Sequence, residues 1–221
     1  MAASGESAVW QEWGRMTRFL EGARLALARE VDLWTSLQID HNVRLSGSSG
    51  RRTYSVRLTD HLDAMRDDET LFASVLIQSY ALAESAAAAH LSLDSRTLYG
   101  IEDWGGRLLQ AEGRDWGDVM DGKAGAVEVA VARNAFAHGT RRMDARDEKR
   151  STAAGLTTLR SGDRLTLEYE VLQRYRARLR SLMNYGGIGV ERGAAQPSTE
   201  RPAHDTVRSN SCTTVRRSPV R

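Results

Sequence analysis

The chain has 221 residues, 41% of them hydrophobic and 27% charged, with a formal net charge of +2 at neutral pH. That length and balance suit one globular domain with a sizeable core, and they exclude nucleic-acid binding driven by bulk positive charge. The single cysteine, Cys212, excludes an internal disulfide and any Cys-based metal site within one chain.

The charge is uneven along the chain. Residues 186–221 carry six Arg against Glu191, Glu200 and Asp205, while the first 185 residues hold 25 basic and 26 acidic groups. No signal-like apolar run opens the sequence, and no window reaches about 18 consecutive apolar residues. A cytoplasmic protein without membrane association is therefore expected. No sequence feature calls for a cofactor or a metal.

All three prolines fall after residue 185, so the body, rich in Ala, Leu, Arg and Glu, favours helix. From Ser7 to Gln38, Trp10, Trp13, Met16, Leu20, Ala23, Leu27, Val31, Trp34 and Leu37 recur every three or four residues. They form one helical face, which makes the tryptophans core residues. A helix of that length, about 48 Å, suits an elongated bundle. His41 to Asp68 breaks the pattern. "SGSSG" at 46–50 is a turn, and Tyr54, Val56 and Leu58 alternate behind it, so a β-hairpin or ordered insertion is expected. Asp60, His61, Asp63, Asp67 and Asp68 place no convincing metal set on one face.

Residues 70–91 make a second helix, with Thr70 as its candidate cap, and residues 101–112 a third. "GDVMDGKA" at 117–124 approaches a phosphate-binding loop, but Ala124 replaces the hydroxyl and no strand precedes it. A fourth helix runs from about Ala124 to His138. "GLTTLRSGDRLTLEYE" at 155–170 reads as two short strands or a loop. A last helix, about Glu170 to Asn184, carries Arg174, Arg176, Arg178 and Arg180, most simply a solvated face, with RNA contact as the alternative. From Gly186 onward the composition predicts a disordered tail. The expectation is an all-α, up-and-down helical bundle over 1–185, with small β-hairpin insertions and a tail over 186–221.

The fourth helix holds the chemistry. In "EVAVARNAFAHGTRR" (128–142), Val129, Ala132 and Phe136 share one face, the natural core face. Val127, Val131, Asn134 and His138 follow i, i+4, i+7 and i+11 on a second stripe. Such a stripe would serve a partner surface closing over a polar pocket. His138 titrates near neutrality and can move a proton, while Arg133 offers a planar fork of donors for a phosphate. Asn134 can orient the ring or the substrate, and Arg141 and Arg142 add charge beside the pocket. Glu84, one turn after Tyr80, either faces this pocket as a substrate-side residue or is a solvated glutamate. Arg and His five apart occur about 0.7 times by chance in this composition, and requiring Asn after the Arg lowers that to about 0.01.

"RNAFAH", continuing to Gly139, resembles the R-N-x-x-x-H signature of HEPN domains (higher eukaryotes and prokaryotes nucleotide-binding). "SYALAE" and "IEDWGGRLL" are similar to HEPN bundles more loosely. The resemblance implies an all-α bundle, a homodimer with a composite active site, and metal-independent cleavage of RNA through its 2′-hydroxyl. It further implies a toxin or phage-defence effector, with an antitoxin or defence-system protein as a possible partner. Arg133, Asn134 and His138 would be the active-site residues. Some HEPN toxins carry a regulatory tyrosine two residues after the His, where this chain has Thr140. The rival reading is a non-catalytic helical module binding a nucleotide or a protein partner. For Arg133, Asn134 and His138 together the alternative role is a helix C-terminus, where Arg and His near the last turn complement the helix dipole and Gly139 caps it.

Overall fold

The computed structural model describes residues 3–37, 39–40, 42–49, 52–94 and 97–189. Among them are seven α-helices and one two-stranded antiparallel sheet. The expected tail from residue 190 onward lies outside the described residues. Gly186 to Gly189, assigned to that tail, are packed instead: Ile188 is buried in the core. A Cβ on Gly189, whose φ is +87°, would collide with the Trp10 ring.

Helix α1 (Ala3–Ser36) buries Trp13, Met16 and Leu20. Beyond Leu20 the expected stripe of α1 is not core: Ala23, Leu27, Val31 and Trp34 are only partly buried and Leu37 is exposed, as are Phe19, Leu25 and Leu33 on other faces. Its 34 residues span about 51 Å. Strands β1 (Arg44–Ser49) and β2 (Arg52–Arg57) pair with Leu45 opposite Val56 in the region where a hairpin was expected, but Ser46–Ser49, read as the turn, belong to β1, and Leu58, read as strand, opens the next helix. They lead directly into α2 (Leu58–Arg66), which packs beside α1 and buries Leu58 and Leu62. Asp67, and not the expected Thr70, then caps α3 (Asp68–His90): Thr70 lies in the first turn, and the Asp67 carboxylate accepts from its amide at 3.2 Å and its hydroxyl at 2.6 Å. The Asp and His residues of this region thus serve α2 and the cap of α3.

Helix α3 is the axis of the bundle, packing against α1, α4 (Ile101–Ala111), α5 (Gly122–Ala137) and α7 (Tyr169–Tyr185). A helix covered on several sides is apolar around most of its circumference. For that reason α3 is also long and apolar enough to cross a membrane by length and composition, with half of its most apolar window buried in the bundle. Arg133 of α5 lies over Tyr80 of α3, and Arg141 reaches Glu69, so α3 and α5 run antiparallel.

Two features differ from the sequence expectations. Residues 155–168 take the loop alternative and not the two strands; only an isolated bridge joins Arg142 to Arg164, and a helix unforeseen in the sequence, α6 (Ala145–Ala153), precedes them. Together they cover the second stripe of α5. Val127 and Val131 are fully buried with Met143, against Ala154, Leu156, Leu159 and Leu165. The stripe serves the chain's own core, so it no longer argues for a partner surface. The arginines of α7 also depart from a solvated face, since Arg176 and Arg178 are buried. Arg178 donates to Asp121 at 2.7 Å and Glu128 at 2.8 Å, and Glu128 also accepts from the Tyr175 hydroxyl at 3.1 Å. Burial, then the Glu128 charge, pushes the Tyr175 phenol upward.

Candidate active site at the end of α5

The last turn of α5 is closed by Gly139, whose φ of +69° suits a residue without a side chain. Its amide donates to the Phe136 carbonyl, and the Ala135 carbonyl accepts from the Arg141 amide and the Thr140 hydroxyl. Thr140 therefore locks the turn. His138 is the C-cap residue, its amide bonded to the Asn134 carbonyl and its side chain exposed to solvent.

Arg133 is placed differently. It is half-buried, with its guanidinium over the Tyr80 ring at 5.0 Å and Nη1 donating to Asn134 Oδ1 at 3.0 Å. Its Nε is buried without a hydrogen-bond partner. Among the described residues, no carboxylate lies within 4.0 Å of it. A cation so recessed normally has a counter-charge, and the ring face supplies only part of one. Asn134 thus orients Arg133; the only bond it makes to His138 is through the backbone.

Tyr80 is the floor of this site. It stacks edge-on against the fully buried Trp104, with centroids 6.1 Å apart. Burial, reinforced by the charge of Glu84 one turn on, pushes its phenol up to about 12. Glu84 is half-buried and acts on Tyr80; no hydrogen bond joins it to Arg133.

Helix α6 supplies a second wall that sequence reasoning missed. Arg150 acts on Tyr80 alongside Arg133 and is clamped by Glu102, its Nε donating to Oε1 at 2.5 Å and its Nη2 pairing with Oε2. Burial opposes ionisation of Glu102, but the Arg150 bonds outweigh it and hold the carboxyl below its usual range. Asp147, one turn before Arg150, lies close enough to His138 for their charges to interact. Burial and then Asp144 push its carboxyl upward. The signal that could have found this wall is Asp144 as an N-cap, whose carboxylate accepts from the Asp147 amide at 2.7 Å.

Two of the expected charges point elsewhere. Arg141 pairs with Glu69 at 2.7 Å and touches the Thr70 hydroxyl, about 16 Å along α3 from Tyr80. Arg142 donates to the Gly162 carbonyl at 2.8 Å and braces the 155–168 segment. Both hold the fold around the site and are not free phosphate contacts. "GDVMDGKA" runs from a single 3-10 turn (Trp116–Asp118) into α5 with no preceding strand. No three His, Cys, Asp or Glu side chains converge as a metal-ligand set among the described residues.

No protein-family model matches the sequence, and neither a curated protein nor a solved structure matches it.

Proposed function

We propose that the chain is a metal-independent endoribonuclease of the HEPN type, acting as a toxin or defence effector. The observation that carries this reading is Arg133, a recessed guanidinium with no carboxylate partner, oriented by Asn134 and Tyr80, with the solvent-exposed His138 at the end of the same helix. In this reaction His138 accepts the proton of the RNA 2′-hydroxyl as that oxygen attacks the adjacent phosphorus. Arg133 holds the phosphate and balances the charge that builds on its oxygens. The bond to the 5′-oxygen breaks, that oxygen takes up a proton, and the products are a 2′,3′-cyclic phosphate and a 5′-hydroxyl. A second copy of the chain, setting another His138 across the cleft, would supply that proton. With the valine stripe covered internally, such a dimer would close on the exposed end of α5.

The test is cleavage of RNA by purified protein in EDTA. His138→Ala should still bind RNA but cleave it about 10²-fold more slowly or worse. Arg133→Ala should lose both binding and cleavage, and Arg133→Lys should recover little, because a point charge does not reproduce the fork. Full activity in His138→Ala would sink the reading. His138 would then be what its C-cap geometry alone makes it, a helix terminus in a non-catalytic module.

A further inference from the structure

The face of α1 turned away from the bundle carries apolar surface that the core does not use. Phe19, Leu25, Leu33 and, just past the helix end, Leu37 are each more than half exposed. Gly22 and Ala26 stand between them, and a Cβ on Gly22 would meet no atom within 4 Å. Arg18, Glu21, Arg29 and Asp32 border this strip and are exposed as well. At about 100° per residue, Arg18, Glu21, Leu25, Arg29 and Asp32 fall within about 80° of one another around the helix. Their charges are antisymmetric about Leu25. Glu21 stands four residues before it and Arg29 four after; Arg18 stands seven before it and Asp32 seven after. Among the described residues Arg18, Arg29 and Asp32 have no ion-pair partner within 4.0 Å. Glu21 is fixed by the Tyr169 hydroxyl at 2.5 Å and pairs loosely with Arg24 at 3.6 Å. The cleft that Arg18 lines with Arg176 and Arg180 holds no acidic side chain.

Such a face is complementary to a copy of itself, in one direction only. In an antiparallel pair with its two-fold axis at Leu25, each residue before Leu25 lies opposite the one equally far after it. Arg18 then meets the partner's Asp32, Glu21 meets the partner's Arg29, and each pair occurs twice. Leu25 meets the partner's Leu25, and Phe19 lies near the partner's Leu33. The Arg29 stem crosses the open surface at the partner's Gly22. Parallel pairing would set Arg18 on Arg18 and Asp32 on Asp32, which repel. We propose that α1 pairs antiparallel with α1 of a second copy along this strip. Contact over residues 18–33 buries roughly 500–600 Å² per copy, at the low end of specific interfaces, so the dimer is a weak one. Because α5 packs chiefly on α3 and α7, this contact differs from the dimer at the end of α5. It does not rest on the ribonuclease reading.

The experiment is thiol cross-linking of the full chain at high micromolar concentration, with Cys212→Ser removing the native thiol. Leu25→Cys places a thiol at the two-fold axis and should link to its copy through a short bis-maleimide. Leu33→Cys, equally exposed, places it about 24 Å from its own counterpart and should link at least about tenfold more slowly. Added to Leu25→Cys, either Arg18→Asp or Asp32→Arg alone sets like charges opposite each other and should slow linking at least about fivefold at low salt. Mixed in equal amounts, these two variants should link to each other again, because each reversed charge meets its complement. Absence of linking in Leu25→Cys overturns the proposal, and so does linking of Leu33→Cys at the same rate. A mixture that links no faster than either charge variant alone overturns it too.

Discussion

Val131→Ala tests whether the second stripe of α5 belongs to the chain's own core. The valine is fully buried among Val127, Met143 and the leucines of the 154–165 segment. Truncation removes two methyl groups, a transfer loss of about 1.6 kcal/mol at ~0.8 kcal/mol per group. The cavity left behind, roughly 40 Å³ at ~24 cal/mol per Å³, adds about 1 kcal/mol. Alanine's better helix propensity returns about 0.5 kcal/mol. The net loss is about 2 kcal/mol, which for a domain of this size lowers Tm by about 4–8 °C. Thermal melts of wild type and variant, run at low and at hundredfold higher protein concentration, measure it. The difference between the two proteins should be the same at both concentrations, because the contact is within one chain. A loss below about 0.5 kcal/mol would mean the cluster contributes no packing. A loss that shrinks as concentration rises would mean that the valines meet a second copy.

Arg178→Met should cost about 2–3 kcal/mol in urea unfolding, because Asp121 and Glu128 are left facing each other without their shared cation. Asp121 is half-exposed, which keeps the figure below that of a fully buried triad. The Tyr80 phenol, raised from 10.0 to about 12, binds its proton more tightly in the fold than in the unfolded chain. Its contribution is complete below pH 10 and is lost as pH rises toward 12, so stability should fall across that window. Tyr80→Phe should flatten this part of the alkaline profile while deleting the hydroxyl from the candidate site.

Much of the fold is legible in the sequence. The apolar stripes of α1 and α5 announce their helices through local periodicity, whereas the break at 41–68 announces the hairpin but not its turn, since Ser46–Ser49 are strand, and α3 is capped by Asp67 and not by Thr70. Helix α6 gives no such signal, because "ARDEKRSTA" has no apolar stripe and buries only Ser151; it is held by the Asp144 cap and the Arg150–Glu102 clamp. The alternation at 155–168 is real, but its leucines reach back to Val127 and Val131 instead of lining a sheet face. A single helix cannot reveal which later segment will cover it, and so the stripe was indistinguishable from an intersubunit face. The candidate site divides the same way. Arg133, Asn134 and His138 stand within six residues, whereas Tyr80, Glu102 and Arg150 join them through tertiary packing alone. The burial of Arg176 was equally hidden, since arginines at helical spacing read as solvated until a neighbouring helix is in place.

The 143–165 segment leans on the bundle through a cluster of its own, in which only Val127, Val131 and Met143 are buried. So small a patch makes it a natural unit of sub-global opening, with a lower free energy than the melting of the helices beneath it. Amide protons of α6 should accordingly exchange with solvent well before those of α3, a difference that hydrogen-exchange mass spectrometry reads directly. Arg150 and Asp147 travel with this segment, while Arg133 and Tyr80 stay on the bundle. Gentle warming would therefore strip one wall from the guanidinium pocket while leaving the rest of the protein folded, so the heat tolerance of the site and that of the scaffold are separate quantities.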